Sequence, residues 1–427
     1  MNSIKKMIEI SKVLKKYKAG ERDFPYVNLS KSNLVGVDLS EANLLGARFE
    51  ESNLSNADLR YTKLEDTDLR GANLSGAKLK YSNLKGAKLD ETTQIDAKYR
   101  LVWEIVNQGA TERDLCGADL RETKLYGANL KGSDIRNANL SGAALDGADL
   151  REANLQGADL CGARLNKANL RNANLERANL YDARLNNADL RKATLKYADL
   201  RDVALFETNL EEANLEGANL KNAYFKKVAL HRVNLTGVDL SEVRCDHYGY
   251  AWPDWSEANL SKANLRGLDL IGSDMHKANL SGADLREANL VGADLRKADL
   301  SGADLREASL EDANLEGANL RGIKLQGGEL DKAKHVTETQ LAESKTLEST
   351  TMPTCNFCGE QVYERKGGLS IIDSGSTNLF DKLKEASKRK FTCPSCSSVF
   401  CLECGNKKGK QLGTGSTHCP KCGTKVL

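Results

Sequence analysis

The chain has 427 residues, 62 Lys and Arg against 60 Asp and Glu, and a formal net charge of +2. Aromatic residues make up only 5% and proline numbers five, which argues against an ordinary globular core packed around large side chains. No stretch approaches the ~18 continuous apolar residues of a membrane-spanning helix, so membrane insertion is not expected. The charge is uneven: residues 1–20 carry about +5 and 353–427 about +6, leaving about −9 for the body.

Residues 1–20 open with "IKKMIEISKVLKKY", in which Ile4, Met7, Ile8, Leu14 and Tyr17 form an apolar stripe at helical spacing that ends at Gly20. Lysines run along the helix without a long apolar core or a cleavage site, which predicts a capping helix rather than a secretory signal. From residue 21 to 90 a bulky apolar residue then falls on every fifth position, from Phe24 to Leu89. The beat returns over 111–332, from Leu115 to Leu240 and from Leu260 to Leu330. A small residue, usually Ala, sits two before each bulky one, with Asn or Asp between them, as in "GADLREANLVGADLRKADL".

A period of five is neither helical nor a plain alternation. The small residue and the Leu are two apart, so in extended backbone both point to one side. The intervening residue and the two that follow suit corners and water. A chain that turns a corner every five residues winds into a coil whose turns stack by parallel backbone pairing, a solenoid. On these residues, over roughly 24–330, the chain resembles the pentapeptide-repeat family. The resemblance implies a mainly β fold, a right-handed quadrilateral parallel β-helix with four units per coil; helical caps and a small α+β module after it are expected from the segments outside the repeats. About 15 coils at ~4.8 Å each would span about 70 Å.

Two interruptions break the beat. Leu89 and Leu115 are 26 residues apart, and between them Ile95, Tyr99, Val102 and Val106 fall at helical spacing before Gly109. A helix over 91–110 is therefore expected to cap the second solenoid segment as the first helix caps the first. The second interruption, 241–259, contains "CDHYGYAWPDWS" and leaves the phase of five untouched. Four units of five make one coil, so this stretch reads as a degenerate coil with Cys245, Tyr250 and Trp255 inward, or as a loop in its place. Over 333–352, Thr337 and Gln340 have capping-box spacing, which predicts a third helix closing the solenoid.

Eleven cysteines include four C-x-x-C pairs in residues 353–427: Cys355/Cys358, Cys393/Cys396, Cys401/Cys404 and Cys419/Cys422. Eight thiolates in pairs suit two tetrahedral Cys₄ sites, hence two structural zinc ions in a reducing, cytoplasmic setting. The short gap "SSVF" between the second and third pairs resembles cross-braced RING and FYVE modules, with sequential zinc ribbons as the other pairing. The missing ligand His, and the absent Trp and Arg around "CPKC", argue against ubiquitin-ligase activity. Lys388, Arg389, Lys390, Lys407, Lys408 and Lys410 make the module basic, so it could contact nucleic-acid phosphates.

No catalytic arrangement appears: the five histidines are scattered and no Ser/His/Asp or phosphate-loop pattern exists. Some pentapeptide-repeat proteins mimic DNA and bind DNA gyrase, which requires a coherent negative surface. Summing outward charges on every fourth unit of the second segment predicts one basic face, with Arg164, Lys167, Arg184, Lys226, Lys227 and Arg266, and three mildly acidic ones. The sequence thus reads as a non-enzymatic protein–protein interaction scaffold, with nucleic-acid association through the zinc module and DNA mimicry as alternatives. The candidate partner contact is Tyr248 and Trp252 in the interruption, with Arg184 and Lys226 on the basic face.

Overall fold

A computed structural model describes residues 2–245, 254–325, 330–337, 339–340, 344, 390–392 and 399–401. The chain divides into two units, Met1–Val336 and Thr337–Leu427. The first is the solenoid. Its five-residue units pair in parallel with the units twenty residues on, as Asp119 with Asn139 and Asn139 with Asp159, so four units complete one coil.

Each unit is closed by the same hydrogen bonds. Leu120 N donates to Asn139 O of the next coil at 2.7 Å, and Asn139 N donates back to Ala118 O at 2.9 Å. At the corner the amide of the small residue donates to the carbonyl of the preceding Leu, as from Ala143 to Leu140 at 2.9 Å. The residue two after nearly every inward Leu has positive φ, as Glu152 at 62° and Gly142 at 63° do. That is the signature of a type II turn, which explains the frequent Gly at this position. Inside, Leu and Ala alternate around narrow layers in which Leu145, Ala148 and Leu150 are wholly buried. Where Ser or Thr replaces Ala, its hydroxyl is satisfied locally. Thr62 Oγ1 donates to Leu59 O at 2.6 Å and Ser133 Oγ to Leu130 O at 2.6 Å.

Helix α1 spans Asn2–Lys18. Among its described side chains Val13 and Tyr17 are buried and Leu14 is half-buried, so Tyr17 faces inward as expected, while the side chains of Ile4, Met7 and Ile8 lie outside the described residues. Tyr17 Oη donates to Ser40 O at 2.9 Å, and the Arg22 guanidinium lies 4.0 Å from the Tyr17 ring centroid.

Helix α2 spans Ala97–Gln108 and ends at Gly109 with φ 79°. Ile105, rather than Val106, joins Val102 as its buried pair, and Ile95 precedes the helix. This helix does not cover an open end. On one side Trp103 Nε1 donates to Ala87 O at 2.6 Å and Asn107 Nδ2 to Leu84 O at 3.0 Å. On the other, Lys98 pairs with Asp119 at 3.2 Å and Arg113 with Glu104 at 2.6 Å. The two solenoid segments also meet directly, since Tyr81 N donates to Glu122 O at 2.9 Å and Tyr81 Oη to Gly142 O at 2.9 Å. The helix is therefore an insert within one stack.

The second interruption is not a whole coil. Asn234 pairs with Asn259 and Asp239 with Asn264, a separation of 25 residues where every neighbouring coil has 20. Before it, strands β1 (Ala204–Phe206), β2 (Tyr224–Lys226) and β3 (Arg244–Cys245) form a parallel sheet in the usual register, Tyr224 with Arg244. After it, Arg232 N donates to Ser256 O at 3.0 Å. One extra block of five residues therefore enters between Cys245 and Asp254. The phase of five survives because the insertion equals one unit, and the coil count does not rise by one. Trp255 is inward as expected, at 3% exposure, while Tyr250 lies outside the described residues.

In the second unit Thr337 and Gln340 form the expected capping box. Thr337 N donates to Gln340 Oε1 at 2.9 Å and Gln340 N to Thr337 Oγ1 at 3.3 Å. Residues 339–340 and 344 are helical. Strands β4 (Lys390–Thr392) and β5 (Val399–Cys401) form an antiparallel pair with Phe391 opposite Phe400.

Candidate binding face

The pairing register sorts the outward residues into four faces. Asn or Asp normally occupies the position before each Leu, and its Oδ1 accepts from the amide two residues on, as in Ser141 N to Asn139 at 3.0 Å. Where Asp precedes the inward residue and Arg follows it, the corner also closes an ion pair. Arg151 donates to Asp149 through Nε at 2.8 Å and Nη2 at 2.6 Å, and the same fork recurs at Arg136–Asp134, Arg201–Asp199 and Arg296–Asp294. These guanidinium hydrogen bonds hold the Asp149, Asp134, Asp199 and Asp294 carboxyls below their ordinary value. The sequence signal for this pairing is the recurrent A-D-L-R, which a summation of charge by face passes over: many carboxylates that look free are neutralised within their own corner.

One face differs. Arg164 pairs with Arg184, Arg184 with Ala204, Ala204 with Tyr224 and Tyr224 with Arg244, one residue per coil. The two basic candidates Arg184 and Lys226 therefore share a face, two coils apart. Arg184 and Arg244 are exposed and make no ion pair among the described residues. The Arg164 guanidinium lies 5.6 Å from the Tyr126 ring centroid and 3.1 Å from Asp146 Oδ2. Lys226 Nζ lies 5.6 Å from the Phe206 ring centroid, and Lys227 pairs with Glu207 at 3.2 Å. Lys124, at the start of the same face, has its pKa lowered by burial.

Arg266 does not belong here. The 25-residue coil moves it one face round, onto the column of Leu240, whose amide donates to Asn264 O at 2.8 Å, and there it pairs with Glu287 at 2.5 Å. Tyr248 and Trp252 lie outside the described residues, between β3 on the basic face and Asp254. Of the eight candidate metal ligands only Cys401 is described, at the end of β5. Cys355, Cys358, Cys393, Cys396, Cys404, Cys419 and Cys422 lie outside, as do five of the six basic residues around them, Lys390 in β4 being the sixth. Among the described residues no group of three or more His, Cys, Asp or Glu is placed to hold a metal. No helix among them is long and apolar enough to cross a membrane.

Among solved structures the chain is similar to HetL, a pentapeptide repeat protein involved in heterocyst differentiation regulation from the cyanobacterium Nostoc sp. strain PCC 7120. The identity is 29%, over 76% of this chain and 91% of that one, with a TM-score of 0.17. It is also similar to a pentapeptide repeat protein from the Arabidopsis thaliana thylakoid lumen, at 32% identity over 28% and 70% of the two chains and a TM-score of 0.17. QnrB1, a plasmid-mediated fluoroquinolone resistance protein, matches at 19% identity over 54% and 94%, with a TM-score of 0.23. No curated protein sequence matches the chain. The family model for pentapeptide repeats matches in overlapping stretches across 23–93, 111–241 and 256–327. Together with the twenty-residue coils and the Ala–Leu core, this match covers well over half of the sequence, and the chain belongs to the pentapeptide repeat family.

Proposed function

We propose that this protein is a non-enzymatic interaction scaffold, in which the solenoid presents a binding surface to a protein partner and the C-terminal module holds two structural zinc ions. Pentapeptide repeat proteins are in general structural and interaction scaffolds rather than enzymes. The observation that carries the reading is the register of one face. It aligns Arg164, Arg184, Tyr224, Lys226 and Arg244, and it ends at Cys245, where the extra block of five residues begins. Tyr248 and Trp252 in that block are the proposed aromatic contact, since Trp, Tyr and Arg dominate interface centres. The test is Trp252→Ala beside Trp255→Ala, with partner captured by the full-length chain as the readout. The first variant weakens capture and leaves melting unchanged; the second lowers stability, because Trp255 is buried. Loss of stability without loss of capture in Trp252→Ala overturns the assignment.

The zinc assignment rests on the four C-x-x-C pairs, with Cys355, Cys358, Cys393, Cys396, Cys401, Cys404, Cys419 and Cys422 as ligands in two Cys₄ sites, and it implies a reducing, cytoplasmic setting. A second reading gives the basic zinc module a nucleic-acid partner, which would show as binding that falls steeply with salt. The corner Asp–Arg pairs weigh against DNA mimicry, because they remove the free carboxylates that a coherent negative surface needs.

A further inference from the structure

On one face, six consecutive coils have given up the residue that stabilises their corner. Positions 144, 164, 184, 204, 224 and 244 hold Ala, Arg, Arg, Ala, Tyr and Arg, and position 124 one coil earlier holds Lys. On the other faces the equivalent position is nearly always Asn or Asp, whose Oδ1 caps the turn, as Asn174 and Asp189 do. Beyond the 25-residue coil the same face returns to Asp269 and Asn289, which again accept from the backbone, at 3.4 and 3.3 Å. None of the seven substitutes can make this bond with its side chain in the same way. The fold gains nothing from losing seven caps in a row on a single face, so the stripe is maintained for something outside the fold.

From this geometry we infer that the stripe from Lys124 to Arg244 is the docking surface for an extended acidic segment of a partner protein. This rests on the scaffold reading above and names the partner's chemistry. At ~4.8 Å per coil the six capless layers from 144 to 244 extend about 24 Å, the length of about seven residues of extended peptide. Charge favours an anion: Arg184 and Arg244 are exposed and make no ion pair among the described residues, whereas the arginines of Asp-Leu-Arg corners are forked onto their own Asp. The aromatic groups separate a peptide from single-stranded nucleic acid. Base stacking needs open ring faces. Here Arg164 sits over Tyr126 and Lys226 over Phe206, so a face of each ring is taken up by one of the protein's own cations.

The test uses the full-length protein and a fluorescent peptide of about eight residues alternating Glu and Ser, read by anisotropy against a Gln/Ser peptide and an oligo(dT) of equal charge. The Glu/Ser peptide binds, the Gln/Ser peptide does not, and oligo(dT) binds more weakly. Arg184→Asn with Arg244→Asn reduces peptide affinity at least tenfold. Because it restores two corner caps, the same variant melts no lower than the parent. Arg171→Gln, on another face, leaves peptide affinity unchanged. Equal loss in Arg171→Gln, or no loss in the double variant, overturns the proposal, and tighter binding of oligo(dT) reassigns the stripe to nucleic acid. If the peptide fails while Trp252→Ala still weakens partner capture, the scaffold reading stands and the acidic partner falls.

Discussion

The left-handed corner residue decides how much each position tolerates. Gly217 has φ 66°, and a Cβ there would meet Tyr197 Cδ1 and Cε1 of the previous coil at 2.6 Å; Gly237 has φ 67° and open space around it. Both Gly→Ala changes carry the cost of a left-handed Ala, about 1 kcal/mol, but only Gly217→Ala must also displace a ring. Gly217→Ala is therefore expected to melt below Gly237→Ala, and the difference to vanish in a Tyr197→Ala background. At the inward position, Leu215 is wholly buried, so Leu215→Asp strands a carboxylate in the core at a cost of several kcal/mol and unfolds the surrounding coils. Its neighbour Glu216 is not idle as an outward residue, since it pairs with Lys196 at 3.1 Å. Such a half-exposed pair contributes at most about 1 kcal/mol, so Glu216→Ala shifts melting only slightly. Equal melting of the two variants would refute the assignment of the inward face. The Ala–Leu alternation that sets this contrast was legible in the sequence; the Tyr197–Gly217 and Lys196–Glu216 contacts were not, because they join residues twenty apart whose proximity depends on the length of the coil.

At the scale of elements, both interruptions turn on length. The 25-residue coil preserves the beat because its insertion equals one unit. Deleting five residues from within 246–253 is accordingly expected to leave a cooperative fold with near-parental melting, whereas deleting four throws every later Leu off the inward face and abolishes it. Circular dichroism melts of the two deletions check this directly. Helix α2 was legible from its spacing and its terminal Gly109, yet its role was not. A helix that replaces part of a coil has the same local sequence as one that covers an end. Only the pairs to Ala87 and Leu84 on one side, and to Asp119 and Arg113 on the other, show that it is enclosed. Trp103→Phe removes the 2.6 Å bond to Ala87 O and leaves that carbonyl unpaired by the ring, a loss of about 1–3 kcal/mol.

For the whole molecule, the corner ion pairs set the acid limit. The Asp58, Asp134, Asp199, Asp284 and Asp294 carboxyls lie below their ordinary 3.8 because Arg side chains donate to them. Glu257, bonded by Lys277 and Arg232, is held at about 2. A carboxyl whose native pKa is depressed stabilises the fold fully above its unfolded value and loses that contribution as pH falls through the native one. The solenoid's melting temperature should thus be flat down to about pH 5 and decline below it; a decline beginning near neutrality would contradict this. The division at Val336 and Thr337 predicts a separate response to metal removal. Chelation should unfold residues 353–427 and leave the solenoid's β signal intact, and metal analysis of the untreated protein should find two zinc ions.

The sequence by itself determined the solenoid, its inward residues, both helices and the paired cysteines. Each of these is a short-range pattern: a period of five, a helical spacing, a C-x-x-C loop. Tertiary structure decided what depends on counting residues between neighbouring coils. It showed that Arg266 leaves the basic face, that Arg184 and Lys226 remain together on it, and that the stripe of missing corner caps ends at Arg244. A side chain's face is set by the summed length of every coil before it, and one coil of 25 residues re-registers all that follow.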